Sequence, residues 1–530
     1  MPAQLRLLAL VLLALASPCV LAAPAAAGIF AGDPVVGPSA ALRTLDGLDL
    51  APDGTGALVA TIQDGGVDHV FASRLVNGAW GAPERLDGGL AAPSVQPAVA
   101  AEDDGRLAVA FVNAGNIYVA MRASRSAPWV RQTIWGHGGA SSPALDMSVN
   151  GKAYLVFTAP GAGGHDVRVA FSRDAGPWTL AGAALDALPA ADAGVGASRP
   201  QIAASADGVA IAVWGERGHV FARRVRGAQP SVTFADASAG LGVEGVAATT
   251  SDSPVVAAQD DDSFTAVAFR ASFTVGGSSR SRVVYRRLRG SRFEGATPLD
   301  ILPFASGQGS VDPRVAIVGT GQGLALGSGD STFLSYAMQL RVDAGPGPIV
   351  QVDSLTASTA PTYAAVAAAT ARKMLVAWQL TPASGMPELH ARYWAETAFQ
   401  SELVLSKPQY GPVLGARGLL SAGDDGGDLA VAYVQDVPGR GPAIAVATVD
   451  QPPARFAVKR MTRFQRTERP LLSWTVSREA WGRYFRVTVD GVQVAITGRR
   501  SFRPRTPLAQ GAHSWQVTAL DRRGQAYVAP

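Results

Sequence analysis

Five polar residues stand out because they break a recurring apolar segment. They are Gln96, Arg199, Asp312 and Arg314, each at the start of such a segment, and Glu216, which follows the end of one. Amide, guanidinium and carboxylate groups each make several directed hydrogen bonds, and a few such groups can fix the orientation of a polar ligand. We therefore predict that these five residues form a binding site. We predict no catalytic residue.

The residue types that carry metal or nucleophilic chemistry lack the spacing that this chemistry needs. The six histidines show no His-x-x-x-His or His-Glu-x-x-His pair. The acidic turns at residues 260–262 and 424–428 lack a complete calcium-binding loop. There is no Gly-x-Ser-x-Gly elbow and no phosphate-binding glycine loop. We predict neither a bound metal nor a cofactor.

The recurring segment consists of an apolar run of small residues, a polar or glycine turn, and a second apolar run. Residues 198–215 are its clearest copy, with a turn at Asp207-Gly208 and a terminal Trp214. In the eight copies the second run ends at Thr61, Phe111, Phe157, Trp214, Phe269, Ser328, Trp378 and Tyr433. A third strand and a less regular fourth strand follow in most units. A repeat of about 50 residues with four strands is typical of a β-propeller.

We therefore predict an all-β chain with a β-propeller of about eight four-stranded blades over residues 28–450. Seven blades is the alternative if the unit at Pro313 or the last unit is not a blade. The first strand of each unit is rich in alanine and valine, so we expect it to lie innermost. The last unit lacks a fourth strand, which residues 29–42 could supply to close the ring. Long loops are predicted at 272–280 and 379–388, where ligand contacts often lie.

Two further residue types recur with the repeat. Arginines lie near the end of the third strand at Arg74, Arg122, Arg173, Arg224, Arg287 and Arg392, and histidines lie near its start at His69, His165, His219 and His390. A binding site breaks the symmetry of a repeat, whereas a structural role returns in every unit. We therefore expect both sets to stabilise the fold.

One turn resembles a known motif. Ser172, Asp174, Gly176 and Trp178 are similar to the Asp-box of sialidase-like propellers, with one residue missing before the tryptophan. In that family the box is a stabilising turn distant from catalysis. The Phe-Arg-Ile-Pro motif of sialidases is absent, and Ser198-Arg199-Pro200 is only a weak echo of it. The resemblance implies a propeller and leaves enzymatic activity open.

The first 27 residues have the features of a secretory signal peptide. A single charge, Arg6, precedes an apolar run over residues 7–15, and small residues lead to a cleavage site predicted after Ala27. The one cysteine, Cys19, falls inside this segment, so the mature chain would have no thiol. We expect a secreted or cell-wall-associated monomer with no integral membrane segment and no nucleic-acid partner.

Residues 451–530 differ in composition from the rest of the chain. They contain 15 Arg or Lys against 4 Asp or Glu. An Asp490-Gly491 turn lies between two alternating runs, which indicates a hairpin, and Trp474, Tyr484 and Trp515 could anchor a small core. This part resembles the fibronectin type III or Ig-like modules of bacterial secreted proteins. Its basic surface could act as a tether to a polyanion.

These observations favour a non-catalytic binding protein. The propeller face would recognise a glycan, a cell-wall polymer or a protein at the cell surface. The alternative is a carbohydrate-active enzyme of the sialidase-like type, a glycosidase or lyase, which would need two or more carboxylates at the channel mouth.

Overall fold

The computed structural model describes residues 28–520, with gaps at 77, 149–150, 206, 260–263, 319–320, 330–334, 343, 354–361, 370–372, 384, 396–397, 424–427, 451–455, 459–466, 477–483 and 498–500. The described residues are strands, turns and five 3₁₀ segments, at Asp103–Gly105, Gly196–Ser198, Phe304–Ser306, Pro408–Tyr410 and Gly415–Arg417. None of these short helical segments has the length or apolar character that a bilayer crossing requires. The all-β prediction is confirmed.

Eight antiparallel sheets follow one another along the described part of residues 28–450. Sheet 1 contains Leu42–Leu50, Gly56–Asp64, Val67–Val76, Ala79–Trp80 and Glu84–Arg85; sheet 2 contains Ser94–Glu102, Arg106–Asn113, Asn116–Arg122 and Val130–Trp135. Sheet 3 contains Ser141–Met147, Lys152–Gly161, Gly164–Arg173 and Thr179–Leu180; sheet 4 contains Gln201–Ala204, Val209–Glu216, His219–Arg226 and Gln229–Asp236.

Sheets 5 to 8 continue the series. Sheet 5 contains Gly242–Val243, Val246–Ala258, Thr265–Val275, Ser278–Arg289, Arg292–Phe293 and Thr297–Pro298; sheet 6 contains Ser310–Ile317, Gln322–Gly329, Tyr336–Arg341 and Ile349–Gln351. Sheet 7 contains Thr362–Ala369, Lys373–Leu380, Glu388–Ala395, Ala398–Phe399 and Leu403–Val404; sheet 8 contains Leu419–Gly423, Leu429–Val437, Gly441–Asp450 and Gly28–Val36.

The inner strands line a central channel; in sheet 5 the inner strand is Val246–Ala258, and in each of the other sheets it is the strand given first above. Each of these inner strands contacts the inner strand of the next sheet, and Leu419–Gly423 of sheet 8 contacts Leu42–Leu50 of sheet 1. The cycle of contacts is therefore closed, as in a β-propeller. The small side chains of the inner strands allow eight strands to approach one axis, which agrees with the predicted innermost position.

The N-terminal strand closes the ring. Gly28–Val36 pairs in antiparallel fashion with Gly441–Asp450, the third strand of sheet 8. The prediction that the segment before the first repeat supplies the missing strand is confirmed. This pairing leaves neither strand with a free edge on that side, which removes a template for aggregation.

Aromatic residues at the ends of the second strands pack between sheets. The side chains of Phe111, Phe157, Trp214, Phe269, Trp378 and Tyr433 are fully buried. Each lies in an apolar cluster formed by two neighbouring sheets. Burying one such side chain stabilises the fold by about 2–3 kcal/mol.

The recurring arginines and histidines have the structural roles expected of them. The guanidinium groups of Arg122, Arg287 and Arg392 lie over aromatic rings at 4.3–5.6 Å. Each of the four histidines pairs through Nδ1 with a carboxylate, in the pairs His69–Asp87, His165–Asp192, His219–Asp236 and His390–Glu402. The first of these pairs is buried, and the ring nitrogen lies 2.8 Å from the carboxylate oxygen.

The Asp-box-like residues form a tight turn between the third and fourth strands of sheet 3. The Ser172 hydroxyl donates to the Gly176 carbonyl at 2.8 Å, and Asp174 adopts a positive φ of 51°. Trp178 packs against the apolar cluster shared with sheet 2. The turn thus holds the outer strand in place, which is the stabilising role that the resemblance implies.

The prediction of a long loop at residues 272–280 is wrong. Thr265–Val275 and Ser278–Arg289 remain paired up to Val275 and Ser278, so only Gly276 and Gly277 form the turn. Both glycines have positive φ, which a two-residue hairpin turn requires. Sheet 5 is therefore extended by a hairpin. The second predicted loop is present, because residues 381–387 join two strands of sheet 7.

The described residues after 450 form two three-stranded sheets. One contains Phe456–Val458, Leu472–Val476 and Ser501–Phe502, and the other contains Val492–Thr497, Tyr484–Val489 and Trp515–Leu520. Asp490-Gly491 is the hairpin turn, as predicted. Leu472 and Trp474 of one sheet share a buried core with Phe485, Val487 and Val517 of the other.

Candidate functional site

The central channel has two chemically different ends. We call the end where the inner strands begin the front mouth, and the other end, where they turn back into the second strands, the rear cavity. The extended hairpin of sheet 5 stands at the front end, because Val275 and Ser278 lie beyond the start of the paired inner strands of the other sheets.

Arg314 breaks the eightfold pattern at the front mouth. The same register position in the other inner strands holds Gly47, Ala98, Ala144, Gln201, Val255, Ala365 and Leu420. A long cationic side chain thus replaces a small or uncharged one. Its Nε donates to the Ala364 carbonyl of sheet 7 at 3.1 Å, and one terminal nitrogen donates to the Pro313 carbonyl at 3.0 Å.

Asp312 and Arg199 lie close enough to Arg314 to shift the pKa of its guanidinium group. Burial lowers the pKa of Arg314, the Asp312 carboxylate opposes this effect, and the neighbouring Arg199 adds to it. Asp312 and Arg199 are exposed, and Arg314 is half-buried. The structure therefore brings together three of the five predicted site residues, from sheet 6 and from the segment that precedes sheet 4.

A second charged pair joins this group from sheet 5. Arg270 makes two hydrogen bonds to Asp252, Nε to Oδ1 at 2.7 Å and a terminal nitrogen to Oδ2 at 2.6 Å. These bonds raise the pKa of Arg270, and the Asp312 carboxylate raises it further. The front mouth therefore presents alternating cationic and anionic groups along sheets 4 to 6.

Several residues at the front mouth have a strained backbone. Gln96, Ser142, Ser253, Asp312 and Tyr363 adopt φ values of 52–53° at a bulge in their inner strands. Side chains rarely adopt this left-handed conformation, which costs about 1–3 kcal/mol per residue. The bulge turns each of these side chains away from the regular strand at the rim of the channel.

The comparisons with known proteins give only distant similarity. No family model matches the chain, and no curated protein matches it. Among solved structures, the BP39L lectin from Burkholderia pseudomallei is 14% identical with a TM-score of 0.41, and the alignment covers 68% of this chain and 99% of the lectin.

Two further solved structures are similar to the same degree. A polysaccharide lyase, a PL25 ulvan lyase, is 13% identical with a TM-score of 0.41 over 72% of this chain and 98% of its own. A Dyadobacter fermentans protein of unknown function is 11% identical with a TM-score of 0.39 over 81% and 100%. Similarity at this level does not extend to function.

The other two predicted site residues have structural partners. The Gln96 Oε1 accepts a hydrogen bond from the Ser142 amide of the next sheet at 2.7 Å. Glu216 is 1% exposed and accepts from the amides of Ala187 and Leu188 and from the indole nitrogen of Trp214. Glu216 therefore fastens the preceding loop to sheet 4, whereas Gln96 is exposed at the front mouth.

The rear cavity has a volume of about 340 Å³ and is lined mainly by alanine and valine. Asp49 and Asp146 occupy one register position in sheets 1 and 3, where the other six sheets have Ala. Each carboxylate accepts from the backbone of the following sheet, Asp49 from Ala101 and Asp146 from Ala204, both at 2.7 Å.

Burial changes the protonation of the cavity carboxylates. Burial raises the pKa of Asp49 to about 7, to which the charge of Asp146 contributes, and it raises the pKa of Asp146 to about 6. Backbone hydrogen bonds offset only part of this effect. Burial also raises the pKa of Glu102 to about 7, although it pairs with Arg106.

The residues of the two channel ends that were not predicted nevertheless stand out in the sequence, because each departs from the repeat. Asp49 and Asp146 are acids inside an apolar run whose other copies have Ala at that position. Arg270 directly follows Phe269, the terminal aromatic residue of its copy, where an uncharged residue stands in the other described copies. No group of three or more metal-ligating residues occurs in the described part of the chain, and the acidic turns at 260–262 and 424–427 lie outside it.

Proposed function

We propose that this chain is a secreted, non-catalytic glycan-binding protein. It would consist of a signal peptide at residues 1–27, an eight-bladed propeller at 28–450 and a β-sandwich of the fibronectin type III or Ig-like type at 451–530. The front mouth binds the glycan, and the basic C-terminal part tethers the protein to an anionic cell-wall polymer.

The observation that carries the proposal is the Asp312–Arg314 pair beside Arg199. A large cation replaces small residues of the channel rim, and an exposed carboxylate lies next to it. The hydrogen bond from Arg314 to Ala364 stabilises the contact between sheets 6 and 7. That contact does not need the exposed Asp312 and Arg199 beside it, so a ligand is the simplest reason for the whole charged group. Carboxylates accept and guanidinium groups donate, which together match the hydroxyl groups of a sugar.

The front mouth also favours binding over hydrolysis. A glycosidase needs two free carboxyl groups on either side of the scissile bond. Asp252 is engaged by both hydrogen bonds from Arg270. At the bulge in the inner strand of sheet 1, the Asp46 carboxylate accepts hydrogen bonds from the hydroxyl groups of Thr44 and Thr61. Asp312 is then the exposed carboxylate of the charged group along sheets 4 to 6. One carboxylate can orient a sugar but does not complete the pair that cleavage requires.

An array of neutral, amino and uronic acid oligosaccharides tests the proposal. We expect the full chain to bind one class, and Arg314→Ala and Asp312→Asn to weaken its binding by roughly tenfold each, the loss of about 1.5 kcal/mol in charged hydrogen bonds. Asp64→Asn, a change at an exposed acid paired with Arg85, is the matched control. The proposal is wrong if no saccharide binds, or if a protein partner is captured through the mouth instead.

The tether is tested separately. Cell-wall material should retain the full chain at low salt and release it as salt rises, because exposed charges are screened. A chain truncated to residues 1–450 should lose this retention while keeping its glycan affinity. Equal retention of both forms would remove the tether from the proposal.

One observation favours the enzymatic alternative. The pKa of Asp49 is raised to about 7 and that of Asp146 to about 6, so Asp49 keeps a proton in a substantial fraction of molecules near neutral pH, as a general acid requires. Incubating the saccharides that bind with the full chain and measuring new reducing ends and unsaturated uronates decides the point. Product formation that Asp49→Asn and Asp146→Asn abolish would establish an enzyme and overturn the non-catalytic proposal.

A further inference from the structure

Tyr363 is unusual among the residues at the rim of the front mouth. It occupies the bulge position that holds Gln96, Ser142, Ser253 and Asp312 in other sheets, and it shares their positive φ of 53°. Polar or small residues tolerate this conformation better than a bulky aromatic residue does. A tyrosine therefore costs backbone stability at this position and recovers only part of it by burial, because it is 46% exposed.

The surroundings of Tyr363 fix its ring in place. A Cβ atom at Gly415, in the 3₁₀ segment before the inner strand of sheet 8, would lie 2.5 Å from Oε1 of Gln379, 2.6 Å from Cδ2 and 2.9 Å from Cγ of the tyrosine, so a larger residue would displace the ring or the amide. The Gly415 amide donates to Oε1 of Gln379 at 2.7 Å, which holds that glycine against sheet 7. One side of the residue thus packs closely against Gly415, while nearly half of its surface faces solvent.

The backbone next to Tyr363 contacts the charged group at the front mouth. Arg314 donates from Nε to the carbonyl of Ala364, the residue that directly follows the tyrosine. The inner strands that carry Asp312 and Tyr363 are in contact. An exposed aromatic ring, a carboxylate and a guanidinium group therefore lie on two neighbouring strands at one rim.

We propose that Tyr363 is a stacking platform for one pyranose ring of the bound glycan. This inference rests on the proposed function and names the chemistry of one subsite. One face of a pyranose carries several C–H bonds with partial positive charge, and the face of an aromatic ring is negative, so the two attract. Asp312 and Arg314 then bind the hydroxyl groups at the sugar's edge.

The subsite selects among saccharides. A platform favours β-glucosides, whose ring hydroxyls are all equatorial, over galactosides and mannosides, in each of which one axial hydroxyl interrupts one face of the ring. The phenol hydroxyl is not needed for stacking, so phenylalanine should replace tyrosine without loss.

The experiment compares variants of the full chain against the saccharide that binds the wild type most tightly on the array. Tyr363→Ala should weaken binding by roughly tenfold, and Tyr363→Phe should keep affinity within about twofold. Gly415→Ala should also weaken binding, because the added methyl displaces the ring. Phe234→Ala removes an aromatic residue of similar exposure, 44%, from the outer strand of sheet 4 and should leave the affinity unchanged.

Saturation-transfer NMR separates stacking from a merely structural role. Irradiating aromatic protons of the wild type should transfer magnetisation to the C–H protons of one sugar face, and Tyr363→Ala should lose this signal. If the wild type binds and Tyr363→Ala binds equally well, the platform is wrong and the proposed function stands. If the wild type binds no saccharide, the proposed function fails and the platform with it. Thermal unfolding of each variant verifies that it is folded.

Discussion

Single carboxylates in the rear cavity link the stability of this fold to pH. Asp49 accepts from the amides of Leu50 and Ala101 at 2.9 and 2.7 Å, so it joins sheet 1 to sheet 2. Burial nevertheless raises its pKa to about 7. The folded chain keeps a proton that the unfolded chain releases near pH 3.8. Between these values the folded state binds more protons, and its stability falls as pH rises.

Asp49→Asn should remove this part of the pH dependence. The wild-type free energy of unfolding should fall by up to ~1.4 kcal/mol per pH unit from this group between about pH 4 and 7. The variant should show a correspondingly smaller slope in denaturant titrations at several pH values. Asp64→Asn, at an exposed site, should leave the slope as it is in the wild type. Equal slopes for Asp49→Asn and the wild type would contradict the account.

At the scale of elements, side chains connect inner strands that share no backbone ladder. Arg314 of sheet 6 donates to Ala364 of sheet 7, and Arg417, which precedes the inner strand of sheet 8, donates to the Leu42 carbonyl of sheet 1 at 2.8 Å. Such charged hydrogen bonds contribute about 1.5–3 kcal/mol each. The ring of sheets is thus held by packing between faces and by a few polar clamps around the axis.

The strand that closes the ring, Gly28–Val36, depends on a close contact at Gly32. Gly32 donates from its amide to the Leu405 carbonyl at 2.9 Å, and a Cβ atom there would collide with the Tyr433 hydroxyl. Gly32→Ala should therefore destabilise the fold by about 1–3 kcal/mol, as overpacking does. Gly88→Ala is the control, since a Cβ at Gly88 meets nothing within 4 Å.

Limited proteolysis and thermal unfolding measure this effect. Gly32→Ala should be cut faster near the N-terminus, because loss of the strand Gly28–Val36 exposes the edge of Gly441–Asp450. If both glycine variants behave like the wild type, the N-terminal strand does not hold the ring closed.

Because of the repeat, the strands could be predicted from the sequence, whereas most residues of the candidate site could not. Apolar runs, glycine turns and the terminal Trp214 mark hairpins whose strands pair as expected. The closing strand followed from the missing partner of the last unit. The pairing of Arg270 with Asp252 depends on register across a bulge, which spacing alone does not give. The length of the sheet 5 hairpin was missed because Ser272 and Arg280 look like loop residues although they pair in a ladder.

At the scale of the whole molecule, charge is divided between two parts. Residues 1–450 have 31 Arg or Lys and 38 Asp or Glu, whereas residues 451–530 have 15 and 4. The propeller part is therefore net acidic and the C-terminal part net basic, by the difference between these counts. A polyanion attracts the second part and not the first. This division suits a protein that is held by one part and binds its ligand through the other.

A co-crystal structure of the full chain with its best saccharide from the array is the most direct test of the glycan-binding proposal. We expect the sugar, intact, at the front mouth, with hydroxyl groups on Asp312 and Arg314 and one ring over Tyr363. A sugar seated in the rear cavity beside Asp49 and Asp146, or found there cleaved, would contradict the account.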